Sequence, residues 1–326
     1  MQQVCQVFEK KSRLKFKIPK CKIMLMNCKI DGGVVLNGEL MEEVKETVYL
    51  GTIISKNGER YADMKDRLLK ANSVANEIEQ ICKSTEMSSI RLRYVRLLML
   101  SCLDRKIKYG CALWNITKYK SSSEKLDKIY PNLLKRVLQI PQSTPSSAIQ
   151  YEFGLNDLSL EILMEKIILA SKNLQYDDKR ISKQLLKVMI RKKVPGFCSE
   201  LEEACNVFSI SIDELSEKRN IRKFLNKKLV KIQSGELMKR MLISSKLDNT
   251  LLNGFCFSGS MMSYLSKLSF LEAKAIFFAK YRMWSTKKNF PGRWINLQCN
   301  ICGRDDTDEH IFRCPGFGDL VGGVNE

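Results

Sequence analysis

The sequence predicts a mainly α fold with a small N-terminal β segment, an α+β chain that closes in a compact cysteine–histidine knuckle. Three observations carry this expectation. Up to Ile54 the apolar residues alternate, or run in short β-rich stretches, between turn signals. After Gly58 they recur at three and four, the period of a helix with one buried face. Near the C-terminus, Cys299, Cys302, His310 and Cys314 stand in the spacing C-x2-C-x7-H-x3-C.

Taken in order, residues 1 to about 55 read as strand and turn. Lys10 to Lys22 is basic and alternating, with Leu14, Phe16 and Ile18 on one face and Lys15 and Lys17 on the other. Asn37-Gly38 between apolar runs predicts a hairpin, because both central residues of a type I′ turn need positive φ. Thr47 to Ile54 is a further β-rich run, stopped by Ser55-Lys56-Asn57-Gly58. The first helical stripe is Met64, Leu68, Ala71, Ala75, Ile78 and Cys82; the second is Leu92, Val95, Leu98, Cys102 and Ile107. The third is Leu126, Ile129, Leu133, Val137 and Ile140, with Ser121 to Ser123 expected as its cap and linker. Pro131 either kinks that helix or marks a later start, and Pro141 and Pro145 end it. Glu152 to about Lys288 reads as mostly helical, with Pro195-Gly196 the clearest interruption.

Composition narrows the function. At 326 residues with 44% hydrophobic content, the chain is long enough for about two domains and excludes a disordered tail. Twelve cysteines do not form a disulfide framework: nine of them lie scattered outside the knuckle. With no secretory leader expected, the location inferred is intracellular, in cytoplasm and/or nucleus. The best apolar stretch, Tyr264 to Trp284, is interrupted by Lys267, Glu272, Lys274, Lys280 and Arg282, so no membrane association is expected. The net charge of +19 favours a polyanionic partner, RNA and/or DNA, against the alternative of a solvated basic surface. No P-loop, nucleophile elbow or second histidine supports small-molecule chemistry.

Two features point to binding. The cysteine–histidine spacing suits zinc, which takes thiolates and a neutral imidazole in a tetrahedron; with every position filled by protein, the ion is structural. The alternative is unrelated free cysteines beside a surface histidine. The densest basic stretch is Lys218 to Arg240, where Arg219, Arg222 and Lys223 share a helical face and Lys227 and Lys231 extend near it. A phosphate-tracking helix looks like this, and so does an ordinary amphipathic surface helix. Arg91, Arg93 and Arg96 form a second, weaker group. Acids at Asp305, Asp306, Asp308 and Glu309 count against the knuckle itself touching phosphate.

In this order the segments resemble the C-terminal part of a LINE-type, non-LTR retrotransposon reverse transcriptase. Leu14 to Lys22 resembles the family's late palm motif, with Arg13, Lys17 and Cys21 departing from its glycine, asparagine and threonine. Val48-Tyr49-Leu50-Gly51-Thr52 resembles the Tyr-Leu-Gly primer-grip segment, the most specific match. Asp63 to Arg105 resembles the helical thumb, and Tyr109-Gly110-Cys111-Ala112-Leu113-Trp114 its Tyr-Gly-x-x-x-Trp close. Leu134 to Leu138, Pro145 and Phe153-Gly154-Leu155 resemble the connector, and Cys299 to Cys314 the terminal knuckle.

The resemblance implies a palm remnant over 1–55 with a primer-grip-like Tyr49, Leu50 and Gly51, a thumb over 56–145, a connector over 146–290, a CCHC zinc knuckle over 291–318 and a tail over 319–326. Lys20 or Lys22 corresponds to the family's palm lysine. Polymerisation needs metal ions held by palm carboxylates, and in the family those precede the lysine-rich motif. Tyr61-Ala62-Asp63 has one aspartate where the family has adjacent ones, after the primer-grip segment, so it is read as a decoy. The expectation is a truncated reverse transcriptase, not an enzyme as given, that retains RNA or DNA binding. The alternatives are a protein-interaction module built on the knuckle, or a decayed element with no selected function.

Overall fold

The computed structural model describes residues 2–26, 28–84, 91–244, 256–281, 283, 286–288, 291–311 and 313–315. Among the described residues helices hold 59% and strands 6%, with those strands in the N-terminal segment as expected. The tail, 319–326, lies outside the described residues. The chain forms two compact units: residues 1–73, 104–126 and 158–223 make the first, and 74–103, 127–157 and 224–326 the second.

The first unit opens differently from the sequence expectation. Gln2–Ser12 is a helix, α1, so the alternation over Lys10 to Lys22 does not mark a strand. The first residues of that stretch, Lys10 to Ser12, belong to α1, and Ile18–Lys20 is a turn of 3-10 helix in which Pro19 supplies the fixed φ. Short strands follow: β1 (Lys22–Ile23), β2 (Val35–Leu36), β3 (Glu39–Leu40) and β4 (Glu42–Glu43). β1 pairs parallel with β4, and β2 antiparallel with β3 around Asn37-Gly38. Both turn residues take positive φ, 52° and 87°, as the dipeptide predicts.

The run Thr47 to Ile54 is a hairpin rather than one strand. β5 (Glu46–Tyr49) pairs antiparallel with β6 (Thr52–Ser55), and Leu50-Gly51 turns with φ of 47° and 77°. Past Gly58 the helical period holds, and Tyr61–Ser84 is α2. The same unit holds α4 (Asp104–Lys108), a 3-10 turn at Cys111–Leu113, and α5 (Lys120–Asp127) up to Leu126. Ser121 to Ser123 sit inside α5 and not in a linker before it.

The core of this unit is built on α8 (Leu158–Leu174), which packs against the Cys111–Leu113 turn, α9 (Ile181–Arg191), α10 (Phe197–Val207) and α11 (Glu214–Glu217). Ile162, Ile167, Leu201, Phe208 and Leu215 close it. Pro195 and Gly196 separate α9 from α10, as the sequence indicates. An ion pair is buried here. Lys166 donates to the Trp114 carbonyl at 2.8 Å and pairs with Glu200 at 2.6 Å. Glu200 in turn accepts from the Thr117 backbone and hydroxyl. Removing either partner would strand the other charge in the core.

In the second unit, α3 (Leu92–Leu98) runs through a π-helical turn at Met99–Leu103. The buried stripe is therefore Leu92, Val95, Met99 and Leu103; Cys102 is exposed. α6 (Ile129–Leu138) starts just before Pro131, which sits in its first turn, and α7 (Ser146–Phe153) follows Pro145. α7 ends at Gly154, where φ is 60° and an added Cβ would meet the Ser260 backbone at 2.4 Å. Only glycine fits that close approach. α12 (Ile221–Ile243) begins at the unit boundary, and α13 (Ser263–Lys267), α14 (Phe270–Lys280) and the short α15 (Asp308–Ile311) complete the helices. Phe270, Ala273 and Phe277 are buried on α14, which Ser269 and Glu272 cap reciprocally.

Candidate metal centre and nucleic-acid interface

The knuckle assembles its ligands from a short hairpin-like turn and a single helical turn. Gln298 and Asp305 form an antiparallel bridge that brackets Cys299 and Cys302. Between them Gly303 takes φ of 74°, and its N–H donates to the Cys299 carbonyl at 3.0 Å. On the far side Thr307 caps α15, its hydroxyl accepting from the His310 N–H at 3.1 Å. That turn carries His310 inward, and Cys314 lies just beyond it; both are buried. The thiols of Cys299, Cys302 and Cys314 and an imidazole nitrogen of His310 all lie within 4.8 Å of one another. Cys299 and Cys314 sulfurs are 3.9 Å apart, and Cys302 Sγ is 3.1 Å from His310 Nε2. In a tetrahedron with Zn–S of about 2.3 Å, sulfurs sit about 3.8 Å apart. The group can hold a metal ion.

Local electrostatics favour thiolate here. The Cys299 thiol is pulled down to about 6, first by the Ile301 N–H, then by the Cys302 N–H and His310. Two of the acids around the knuckle, Asp305 and Asp306, have partners beside it. Asp306 accepts from the Lys287 N–H at 2.9 Å, and Asp305 pairs with Lys288 at 3.3 Å. Lys287 itself is buried, donating to the Gln298 carbonyl at 2.6 Å and to Asn300.

A second constellation lies in the first unit, at the tip of the β5–β6 hairpin. Tyr49 and Leu50 project into solvent, Leu50 with 74% of its surface exposed. Beneath them the backbone is fastened. Arg67 donates to the Gly51 carbonyl, the Tyr109 hydroxyl donates to the Leu50 carbonyl at 2.7 Å, and the guanidinium lies over the Tyr109 ring at 4.8 Å. Asp63 closes the base: its carboxylate accepts from the Ile53 N–H at 2.9 Å and from Trp114 Nε1 at 2.8 Å, and is closed to solvent. Gly110, with φ of 74°, leaves room for Thr52. Tyr49-Leu50-Gly51, Asp63 and Tyr109 to Trp114, separate in the sequence, meet at one place.

The expected basic residues divide by environment. Lys223, Lys227 and Lys231 are exposed along α12. Arg222 is exposed too but makes a bidentate pair with Glu165, at 2.6 and 2.8 Å. Arg240 at the other end pairs with Asp157 at 2.6 Å. Arg91 and Arg93 are exposed, Arg93 lying over the neighbouring Tyr94 ring. Arg96 turns inward and donates to the Phe153 carbonyl at 2.8 Å, tying α3 to the end of α7. Lys20 is exposed, and Lys22 pairs with Glu42 at 3.3 Å. Sequence reasoning missed Arg67 and the hydroxyl of Tyr109 as supports. The signal for Arg67 was a charge on the apolar face of α2, one position before Leu68.

No helix among the described residues is long and apolar enough to cross a membrane. Compared with protein-family models, curated proteins and solved structures, the chain matches none.

Proposed function

We propose that this chain is a non-catalytic, thumb-like polynucleotide-binding protein of non-LTR reverse transcriptase type, whose knuckle holds a structural zinc. The observation that carries this reading is the fastened hairpin tip. A turn with Tyr49 and Leu50 exposed, held from below by Arg67 and Tyr109, is a rigid projection suited to lie against a nucleic-acid strand. An aromatic ring and apolar side chain can stack on a base or sugar, and stacking is worth about 1–3 kcal/mol per base. The exposed lysines of α12 supply charge for phosphate contact, Lys223, Lys227 and Lys231 being the ones without a bidentate acid partner of the Arg222 kind. Asp63 does structural work in this reading, since both its oxygens are already bound by protein donors. A primed template with dNTPs and magnesium is therefore expected to give no extension.

The ligand set of the knuckle favours zinc over harder cations, because thiolate and imidazole are soft or borderline donors. With all positions taken by protein, the ion would organise 291–315 and leave no open site for chemistry.

The direct test is fluorescence anisotropy on one RNA and one DNA oligonucleotide, with wild-type chain and the Tyr49→Ala/Leu50→Ala variant. Both residues are exposed, so the fold should survive. Weaker binding by about 10- to 100-fold is expected from the loss of stacking; equal affinity would remove the hairpin tip from the interface.

A protein-interaction reading is favoured by a different observation: Trp294, Ile295 and Ile301 are exposed on the knuckle. Absence of nucleic-acid binding at low salt would bring it forward.

A further inference from the structure

Helix α9 and the cleft beside it belong to neither site described above. Only Leu186 of its side chains is buried. Ile181, Leu185 and Val188 are 79%, 58% and 39% exposed. At spacings of four and three they form one apolar stripe facing solvent. Beside that stripe opens a cleft of about 440 Å³, lined by Leu185, Leu186 and Met189 of α9, Leu169 of α8, and Leu113 and Phe197. That volume is in the range of pockets able to enclose a bulky group.

Cations stand beside the cleft, and Glu59, next to Arg60, is paired with Lys118. Arg60 lines the cleft. Arg191, Lys192 and Lys193 are exposed at the C-terminal end of α9. Of the two acids before this helix, Asp178 is engaged by Lys183 and Lys187 at 3.0 and 2.9 Å, and Asp177 accepts from the Lys179 N–H at 2.8 Å. An apolar groove edged by cations is complementary to a ligand that is apolar on one face and acidic at its margins.

We propose that this groove docks an acidic amphipathic helix of a partner protein. Apolar side chains at helical spacing would enter the cleft and cover the Ile181–Leu185–Val188 stripe. Carboxylates on the flanks would meet Arg60, Arg191 and Lys192. A flat lipid surface would cover the stripe but leave the cleft unfilled, and a polynucleotide would meet apolar side chains where it offers phosphate. Apart from Leu113, which lies in the Tyr109 to Trp114 segment, none of the residues assigned to nucleic acid or metal takes part.

The test is selection of a displayed library of peptides, about 16 residues long, on the full chain, a length able to span a groove with anchors at i, i+3, i+4 and i+7. Enriched peptides should carry apolar residues at helical spacing and net negative charge. They should lose about tenfold or more in affinity on Leu185→Ser, as for an anchor residue. They should weaken further on Arg191→Glu/Lys192→Glu. These positions are exposed, and circular dichroism checks that each variant keeps its helix content. Enrichment of basic or unpatterned peptides, or acidic peptides indifferent to Leu185→Ser, would overturn the proposal. Two further outcomes would also overturn it. One is sedimentation with phosphatidylserine vesicles that is lost in Ile181→Ser/Leu185→Ser, which would make the face a lipid surface. The other is displacement of the peptides by RNA in wild type but not in Leu185→Ser, which would make it a nucleic-acid surface.

Discussion

Trp114 Nε1 donates to Asp63 Oδ2 at 2.8 Å, and both side chains are closed to solvent. The other carboxylate oxygen holds the Ile53 N–H. One acid thus joins the hairpin, the start of α2 and the residue after the Cys111–Leu113 turn. Asp63→Ala would leave an indole N–H and a backbone N–H without their acceptor, at about 1–3 kcal/mol each. The expected loss is about 2–5 kcal/mol in urea unfolding. Unchanged stability would show that the bridge is not what holds the hairpin.

Metal removal is the second test. Purified chain should carry about one zinc, and Cys302→Ser should lose it, because the remaining ligands make an open and weaker site. Chelation should abolish the slow-exchanging amides of 298–310 while leaving α8 protected. Full zinc content in Cys302→Ser would remove the centre.

Two buried thiols give a pH dependence. Burial pushes Cys111 and Cys205 up to about 12, with Glu165 adding to the first and Glu202 to the second. A thiol raised in the folded state is protonated there while the unfolded chain has already lost its proton. Its contribution is fully present below about pH 9 and lost as pH rises toward 12. The urea midpoint should fall between about pH 8 and about pH 10.5, and the fall should shrink in Cys111→Ala/Cys205→Ala. An equal fall in the variant would place the titration elsewhere.

The N-terminal strands should differ in protection. β1 to β4 are two residues long each, and most of their side chains are exposed. β5 and β6 are fastened to Asp63, Arg67 and Tyr109. Amide exchange should be fast across 22–43 and slower at Ile53, whose N–H is held by the Asp63 carboxylate. Uniform protection across both would contradict this picture.

How much of this was legible follows from how local each signal is. The metal ligands are close in sequence, and C-x2-C followed by Gly303 already specifies the turn, while of the other two only His310 lies in a helical turn, Cys314 standing just beyond it. Asn37-Gly38 announced its hairpin because both residues tolerate positive φ. Leu50-Gly51 did not, because leucine disfavours φ of 47°, and the turn is held by hydrogen bonds from Arg67 and Tyr109 that no local pattern encodes. The second helical stripe was displaced because a π turn at Met99–Leu103 shifts the buried positions to Met99 and Leu103. Helix α1 was missed because the alternation of Leu14, Phe16 and Ile18, just past its end at Ser12, was extended back over its last residues. The pairing of Arg222 with Glu165 and the inward turn of Arg96 are tertiary facts, and a count of basic residues cannot separate them from Lys223, Lys227 and Lys231.

The central claim, that this chain grips a polynucleotide backbone, is tested most directly by the salt dependence of binding. Affinity for one RNA and one DNA is measured across ionic strength for wild type, for Arg222→Gln, and for Lys223→Gln/Lys227→Gln/Lys231→Gln. Wild type should show a steep log–log slope with little sequence preference. The triple variant should show a slope shallower by roughly one for each lysine that neutralises a phosphate in the wild type. Arg222→Gln, whose guanidinium is held by Glu165, should leave the slope nearly unchanged. Equal slopes in wild type and the triple variant, or no binding at low salt, would contradict the account.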